Sequence, residues 1–345
     1  MKKIKIAQIG TGHDHATAAI QTLKILRDEG LIDLIGFCTV PEDRFNLSEL
    51  GYENNKQAYS GVEKLTLDEI LNFDGLDAVV IETEDRALTK YAYLAAQKKL
   101  NIQMDKPGGI DDGEFDKLID LVKSENLVFH TGYMYRYNPE IKELKKKIGN
   151  GDLGEIISVE AQMNCSHGEA KREWLKAYPG GMLYFLGCHM VDLVYSIMGE
   201  PKEIIPLSCS TNIGNIKAED FGMAIFKYEN GVSFAKSTAV EKGGFERRQL
   251  VVVGTKGTVE IRPLEWANTN EAKFFSPQTT GVREIYSGDW HKKGDFHISP
   301  VHGRYDAMFR AFIDYVSGKA ENPYSYEYER SLHKILLKAC GKEII

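Results

Sequence analysis

A histidine near the middle of the 345-residue chain is the first candidate for chemistry. Gly180–Gly181 frees the backbone before it, and the apolar run that follows has helical spacing. On one helix Phe185 and His189 stand one turn apart on the same face, with Asp192 close enough to steer the imidazole ring. Because imidazole is the most frequent acid or base in proteins, this stretch predicts a positioned proton-transfer group beside a phenyl ring.

A glycine turn near the start of the chain is the second candidate. The β-branched strand from Ile4 to Ile9 precedes it, and helical periodicity from Ala16 to Leu26 follows. Strand, glycine turn and helix together bind a pyrophosphate through free N–H groups and the helix dipole. The third glycine of G-x-G-x-x-G is replaced by a histidine, so the turn alone is equally consistent with a plain tight turn. The candidate cofactor-binding residues of the turn are Gly10, Thr11, Gly12, His13 and His15.

Alternating elements surround this turn. Apolar strands are predicted at 31–38, 76–81, 100–104 and 127–131, and helices at 67–71, 88–98 and 116–124. Continuous apolar strands between helices indicate a parallel sheet covered on both faces, which is the doubly wound Rossmann type of α/β fold. Ligands of such sheets lie at the carboxyl ends of the strands. This edge adds the candidates Thr39, Thr83, Asp105, Lys106 and Pro107.

The residues after the second strand decide between the two nicotinamide dinucleotides, because an acidic residue there accepts the ribose hydroxyls. Thr39 takes this place, and Glu42, Asp43 and Arg44 follow with opposite charges. Arg44 is interpreted as a surface helix residue rather than as a phosphate clamp. The sequence therefore predicts NAD or NADP and does not choose between them.

Lys106 leaves the fourth strand at this same edge. Its ammonium group can donate hydrogen bonds to a substrate hydroxyl or carbonyl and stabilise developing negative charge. The alternative is a solvated turn lysine. Pro107 fixes the chain direction where a ligand would lie, which favours the functional interpretation.

An aromatic cluster at 132–139 precedes a change in the residue pattern, and we interpret this cluster as the domain junction. We predict a dinucleotide-binding domain at 1–132 and an α+β substrate domain at 133–345. Helices are predicted at 141–148, 305–316 and 328–337, and alternating strands at 156–163, 221–228, 232–239, 249–253 and 258–261. Residues 267–301 are left unassigned. The largely antiparallel sheet is expected to use its free face for homo-oligomer formation.

Composition excludes several classes of protein. A formal net charge of -7 argues against a nucleic-acid partner. Five scattered cysteines without a C-x-x-C pair indicate neither a disulfide framework nor a zinc cluster, so we predict no metal site and a reducing, cytoplasmic setting. No window is long and apolar enough to cross a membrane, and the first residues lack an export signal.

The order of the motifs resembles the Gfo/Idh/MocA oxidoreductases, which are named partly after glucose-fructose oxidoreductase and inositol 2-dehydrogenase. The resemblance spans nearly the whole chain. It rests on the glycine turn and on Asp105-Lys106-Pro107, Gly132 to Pro139, Gly151 to Ile156, Gly180 to Asp192 and Gly254 to Thr258. It implies that Lys106 lies at the nicotinamide and the substrate, that His189 contacts the substrate, and that the substrate is a carbohydrate or a polyol.

The chain departs from the family pattern at three places. Asp105 replaces the glutamate before the lysine, Thr83-Glu84-Asp85 replaces T-P-N, and Phe185 replaces the catalytic aspartate. Phe185 cannot take a proton; it is expected to pack beneath an apolar sugar face or an aglycone. The residues that can replace the missing carboxylate are Tyr178, Tyr184, His167 and Asp192, and the expected substrate residues are Tyr135, Arg136, His167, Trp174, Phe185 and His189.

Three functions remain open from the sequence. The first is an NAD(P)-dependent dehydrogenase in which His189 is the general base and Lys106 the electrostatic anchor. The second is a redox-neutral carbohydrate enzyme, of lyase, hydrolase or epimerase type, that recycles a tightly held dinucleotide. The third is a catalytically weak protein that senses a nucleotide or a sugar, which the presence of both Lys106 and His189 disfavours.

Overall fold

The computed structural model describes residues 3–45, 52–267 and 277–343. The chain forms two compact units, which we call the first unit (Met1–Tyr133 with Tyr305–His333) and the second unit (Met134–Arg304 with Lys334–Ile345). The predicted boundary at 132 lies one residue from the break after Tyr133. The prediction assigned everything beyond 132 to the second domain, whereas 305–333 belong to the first unit.

The first unit contains a five-stranded sheet and its helices. The strands are β1 (Ile4–Ile9), β2 (Ile32–Cys38), β3 (Ala78–Ile81), β4 (Asn101–Met104) and β5 (Phe129–Thr131). The helices are α1 (Ala16–Asp28), α2 (Leu67–Leu71), α3 (Leu88–Gln97) and α4 (Asp112–Ser124), joined later in the chain by α9 (Asp306–Val316). The strand order is β2-β1-β3-β4-β5 and every pairing is parallel, as a doubly wound fold requires.

Burial explains why these strands form a parallel sheet. All four residues of β3 are buried, and the faces of α3 and α4 that carry Leu88, Ala92, Leu118 and Val122 close the same core. Strands covered on both faces are apolar throughout, which is why the sequence identified them. The strand order reverses between β1 and β3, and a sheet of this type binds its ligand at that point, outside the carboxyl ends of the strands.

The second unit is built on a larger sheet. Its helices are α5 (Pro139–Gly149), α6 (Glu169–Trp174), α7 (Met182–Phe185) and α8 (Cys188–Met198), and α10 (Tyr326–Ala339) runs from one unit into the other. The strands are β6 (Ile156–Gln162), β7 (Glu203–Pro206), β8 (Phe221–Tyr228), β9 (Gly231–Thr238), β10 (Gln249–Gly254), β11 (Thr258–Ile261), β12 (Trp266–Ala267), β13 (Gln278–Thr279), β14 (Gly281–Ile285) and β15 (Asp295–Ile298).

Eight of these strands form one sheet in the order β15-β14-β11-β10-β6-β9-β8-β7, and β12 pairs with β13 separately. The pairing of β6 with β9 is parallel and the others in the large sheet are antiparallel, so the expected largely antiparallel sheet is confirmed. Side chains of β8 and β10 alternate between buried and half-buried. One face of the sheet therefore lies against α7 and α8.

The stretch 267–301, which the sequence left unassigned, contains β13, β14 and β15; residues 268–276 lie outside the described part of the chain. These strands are short, and burial does not alternate along them: all four residues of β15 are exposed and one of the five in β14 is, so they carry no clear period-two signal. Among the described residues, no helix has the length and apolar character needed to span a bilayer.

Candidate functional site

Three loops meet at the carboxyl edge of the first unit's sheet. The turn 10–15 follows β1, residues 82–85 follow β3, and residues 105–107 follow β4. The His13 N–H donates to the Glu82 carbonyl and joins the first two loops, and the Gly10 N–H donates to the Cys38 carbonyl at the end of β2. Gly10 has φ +89°, and a Cβ there would lie 2.5 Å from the Thr83 side chain, so only glycine fits.

Two histidines and one aspartate lie at the centre of these loops. Nδ1 of His15 lies 3.1 Å from Asp105 Oδ2, and Nδ1 of His13 lies 3.3 Å from the same oxygen. His13 Nε2 lies 3.1 Å from the Lys106 carbonyl oxygen. Glu82 and Asp85 flank His13 at 3.8 and 3.6 Å. All five side chains are buried, so charged groups interact here with little screening by water.

Burial and neighbouring charges shift the pKa values of this cluster in different directions. Burial opposes a charged ring at His13, but the Asp105 and Asp85 carboxylates outweigh it and raise the pKa of His13 above its usual value. Burial lowers the pKa of His15 to about 4. Burial, reinforced by the Asp105 charge, raises the pKa of Glu82 well above its usual value, while the pKa of Asp105 is lowered by the two histidines against the effect of burial.

The Asp43 carboxylate accepts hydrogen bonds from the glycine turn. Its Oδ2 accepts hydrogen bonds of 2.9 Å from the backbone N–H groups of Thr11 and Val40 and one of 3.1 Å from the Thr11 hydroxyl. A Cβ on Gly12 would lie 2.7 Å from Asp43 Oδ1. Burial raises the pKa of Asp43 to about 6 in spite of these donors. A carboxylate thus lies where the amides of such a turn usually meet a phosphate.

A cavity of about 840 Å³ opens beside these loops in the first unit. Its lining combines acidic and basic side chains with an apolar wall, namely Glu42, Glu84, Arg86, Ala87, Thr89, Lys90, Tyr93, Leu94, Glu114 and Lys117. Glu42 is held by Lys90 Nζ and the Tyr91 hydroxyl, each at 2.6 Å. Thr39 is half-buried at the end of β2. The volume is within the range of a small-molecule site.

Lys106 is buried, with 1% of its surface exposed, in contrast to the alternative of a solvated turn lysine. Its backbone N–H donates to Asp105 Oδ1 at 2.7 Å. A buried ammonium needs nearby negative charge, and the Asp105 carboxylate supplies it within the same cluster. Pro107 follows it directly.

In the second unit, Phe185 and His189 lie on two helices, which corrects the prediction of one. Helix α7 ends at Phe185 and α8 begins at Cys188. The N–H groups of Leu186 and Gly187 both donate to the Met182 carbonyl, which ends the regular ladder. Glycine has a low helix propensity, and the two helices are separated at Leu186 and Gly187.

His189 is buried in the first turn of α8, and its ring meets that of Tyr135 edge-on, with centroids 5.2 Å apart. Before it, Gly181 has φ +46°, and a Cβ there would lie 2.2 Å from the Glu219 carbonyl oxygen. The backbone that leads to α7 therefore requires glycine at this position. Burial and the nearby charge of Glu265 raise the pKa of Tyr135.

Phe185 belongs to an aromatic cluster. Its ring lies edge-on to Trp174 at 5.2 Å and tilted to His167 at 6.3 Å between centroids. Lys171 Nζ lies 4.4 Å from the centre of the Phe185 ring and 3.6 Å from that of Trp174. Three of the expected substrate residues are thus brought together in the second unit. Tyr178 and Tyr184 stack on each other next to Trp174.

Arg136, another expected substrate residue, binds Asp192. Arg136 Nε lies 3.0 Å from Asp192 Oδ1, its terminal NH2 lies 2.8 Å from the same oxygen, and both side chains are fully buried. Asp192, predicted to steer His189, is therefore the partner of this guanidinium. Lys145 lies near both, and burial lowers its pKa.

Sequence reasoning missed a second buried charge network. Glu265 binds Arg248 and also Arg304, at 2.8 Å from Arg304 Nε. Burial alone would raise the pKa of Glu265, but the two arginines lower it to about 2. Glu82 and Asp85 were missed as well. The acidic loop after β3 was the only signal for them, since their partners are distant in sequence.

Comparison with known proteins adds three findings. Residues 141–260 match the GFO/IDH/MocA C-terminal domain. The chain is 31% identical over 269 residues to the uncharacterized oxidoreductase YhhX of Escherichia coli, covering 74% of this chain and 75% of the relative. It is 23% identical over 265 residues to myo-inositol 2-dehydrogenase of Thermotoga maritima, covering 74% and 73%.

A solved structure shares the fold. KijD10, a 3-ketoreductase from Actinomadura kijaniata in complex with TDP-benzene and NADP, has 15% identity and a TM-score of 0.71, with 98% of this chain and 96% of that chain covered. At this identity the likeness concerns the fold alone.

Proposed function

The chain belongs to the Gfo/Idh/MocA oxidoreductases, and we propose that it exchanges a hydride between NAD or NADP and a hydroxyl or carbonyl carbon of a carbohydrate or polyol. One observation carries the proposal: a glycine turn after β1 and a buried lysine after β4 lie at the sheet edge where doubly wound folds bind nucleotides, in the same unit as a cavity lined partly by residues that follow β2 and β3. The substrate class follows the relative named myo-inositol 2-dehydrogenase.

The first unit fits a nicotinamide dinucleotide. Gly10 takes a positive φ directly after β1, and the cavity is lined by Glu42 after β2, by residues within 84–87 after β3, and by side chains of α3 and α4. We propose that the backbone of Gly10, Thr11 and Gly12 holds the pyrophosphate once the Asp43 carboxylate leaves the Thr11 amide. When bound, the nicotinamide supplies the hydride chemistry.

The remaining steps belong to the chain's own side chains. We propose that His189 takes the proton of a substrate hydroxyl in oxidation and returns it to the carbonyl oxygen in reduction. Tyr135 holds the imidazole edge-on, and the start of α8 fixes its backbone. Lys106 carries a buried positive charge that stabilises negative charge developing on the reacting oxygen.

The aromatic cluster supports a role in substrate binding. Phe185, Trp174 and His167 present ring surfaces in one place, and Lys171 adds a cation beside them. Ring faces pack on the C–H faces of sugars, whereas the family aspartate would have offered a carboxylate. We propose that Phe185 selects substrates with an apolar face or an aglycone.

A redox-neutral function is the second candidate, and Phe185 is the observation that favours it. An enzyme without the family carboxylate relies on a single acid or base, and a transiently oxidised substrate can then be passed to bond cleavage or epimerisation. This candidate predicts a dinucleotide that stays bound through purification. Net dehydrogenation predicts that the dinucleotide exchanges with the solution and that its reduced form accumulates.

The outer face of the second unit's sheet supports a homo-oligomer. Half-buried apolar side chains lie on the face opposite the buried one, namely Met223 and Ile225 on β8 and Phe234 on the adjacent β9. Glu160 of β6 separates them from Val251 on β10, so the apolar part of this face is confined to β8 and β9, and an exposed apolar patch can meet a partner. Light scattering of the purified chain tests this, and a monomer at micromolar concentration contradicts it.

His189→Asn tests the proposed chemistry. The variant keeps a side chain of similar polarity and removes the base, so turnover should fall by about two to four orders of magnitude while the dinucleotide Kd stays unchanged. His297→Asn is the matched control, because His297 is half-exposed on β15. Equal losses of turnover in the two variants, or a parallel loss of dinucleotide binding, contradict the role of His189.

A further inference from the structure

We propose that the first unit holds a divalent transition-metal ion, bound by His13 and His15 through Nδ1 and by a carboxylate oxygen of Asp105, with Glu82 beside it. The three candidate ligand atoms lie within 4.8 Å of one another, and all three residues are buried. The proposal goes beyond the proposed hydride exchange, which requires no metal.

The spacing of the candidate ligands matches one ion. Zinc binds imidazole nitrogen and carboxylate oxygen at about 2.0–2.2 Å in a tetrahedral arrangement, so two of its ligands lie roughly 3.3 Å apart. Asp105 Oδ2 lies 3.3 Å from His13 Nδ1 and 3.1 Å from His15 Nδ1. Glu82 Oε2, 3.8 Å from His13 Nδ1, is placed to complete the set with a small shift.

The tautomer of His13 is already that of a ligand. Its Nε2 lies 3.1 Å from the Lys106 carbonyl oxygen, which only accepts hydrogen bonds, so Nε2 carries the proton. Nδ1 then carries the ring's one lone pair, which accepts the backbone N–H of His15 at 3.1 Å, and the ion would take the place of this hydrogen bond. Histidines that bind metals usually donate their other N–H to a carbonyl or carboxylate in this way.

Charge gives a reason for a cation at this place. Glu82 and Asp105 are buried, at 1% and 3% exposure. Within the described part of the chain, Glu82 Oε2 makes no hydrogen bond. A buried carboxylate oxygen without a partner is costly, and an ion between Glu82 and Asp105 would satisfy it. Two imidazoles with carboxylates favour Zn²⁺, Co²⁺ or Ni²⁺ over Mg²⁺ or Ca²⁺, which prefer oxygen ligands.

A hydrogen-bonded network is the competing explanation, because a proton on His15 Nδ1 would also account for its distance from Asp105. Titration of the intact chain separates the two. The chain is stripped with a chelator and titrated with ZnCl₂ and CoCl₂ in a calorimeter. We expect one ion per chain and, with cobalt, the intense visible absorption of a four-coordinate site.

Two nearly isosteric variants, His15→Gln and Asp105→Asn, should each weaken binding by at least about 100-fold, since loss of an outer-shell partner alone costs 10- to 100-fold. His297→Gln removes a half-exposed imidazole from the second unit and should bind as the wild type does. Absence of stoichiometric binding, or binding that persists in both site variants, overturns the proposal.

X-ray absorption at the zinc edge keeps the test decisive if a variant does not fold. The wild-type chain should show two imidazole nitrogens and one or two carboxylate oxygens at about 2.0–2.2 Å. A spectrum with sulfur ligands, or with oxygen ligands only, overturns the proposal. Because these measurements record stoichiometry and ligand type, they are independent of hydride exchange and can succeed or fail without it.

Discussion

Asp192→Asn should strongly destabilise the second unit, because it leaves the Arg136 guanidinium buried without its counter-ion. Arg136 and Asp192 are joined by bonds of 2.8 and 3.0 Å, and neither side chain is exposed by more than 1%. Breaking such a pair costs about 3–5 kcal/mol. At about 2–4 °C per kcal/mol for a unit of this size, the thermal midpoint should fall by roughly 6–20 °C.

Tryptophan fluorescence isolates this effect. All three tryptophans of the chain, Trp174, Trp266 and Trp290, belong to the second unit, so urea unfolding followed by their emission records that unit. The proposed function adds a kinetic outcome. Asp192 lies one turn after His189 on α8, so turnover should fall while dinucleotide binding to the first unit stays unchanged.

Two controls define the result. Glu203→Gln removes a carboxylate from an exposed pair with Lys227 in the same unit and should cost less than about 1 kcal/mol. The double variant Arg136→Met/Asp192→Leu replaces both charges by apolar groups and should recover most of the lost stability. An Asp192→Asn variant no less stable than Glu203→Gln would refute the reasoning.

Three further predictions concern other parts of the chain. Asp43→Asn should tighten dinucleotide binding at pH 7 by roughly threefold to tenfold, because the carboxylate on the Thr11 amide repels a pyrophosphate. The Kd of the wild type should rise as the pH increases through about 6, where Asp43 ionises. Fluorescence titration should find no such rise in the variant. Glu265→Gln should lower the free energy of unfolding by about 3 kcal/mol at pH 7, because the two arginines lower the pKa of Glu265 from 4.5 to about 2. This contribution to stability is complete above pH 4.5 and is lost as the pH falls towards 2. An equal loss at pH 7 and pH 3 in urea unfolding would contradict this. Gly181→Ala should reduce the folded yield or the thermal midpoint, because its Cβ meets the Glu219 carbonyl, and a wild-type midpoint would show that the backbone moves freely.

The first unit could largely be predicted from the sequence. Its strands are buried on both faces, so each is a continuous apolar run, and the predicted β1 has the bounds that the structure has. The glycine turn and Lys106 were predicted to lie at one edge of the sheet because each follows the carboxyl end of a strand, and the structure has strands that end at Ile9 and Met104. What the sequence could not assign was residues 305–333, whose contacts with the first unit join residues more than 170 positions apart, such as the stacked rings of His130 and Phe312.

The candidate site shows the same limit in finer detail. The sequence placed His13 and Asp105 at one edge of the sheet, but their contact with each other and with Glu82 depends on the order β1-β3-β4, which the sequence does not record. The Phe185–His189 helix was wrong because the apolar pattern continues through Gly187, and a pattern of side chains does not record where the backbone ladder breaks. Counting that glycine as a possible break would have corrected it.

A hydride-transfer measurement tests the central claim most directly. The purified chain is mixed with NAD or NADP, oxidised or reduced, and with a panel of polyols, sugars and keto sugars, while the nicotinamide absorbance and dinucleotide binding are followed together. The account predicts saturable binding of at least one dinucleotide and an absorbance change that depends on the added substrate and disappears in His189→Asn. Failure to bind either dinucleotide, with no absorbance change for any substrate, would contradict it.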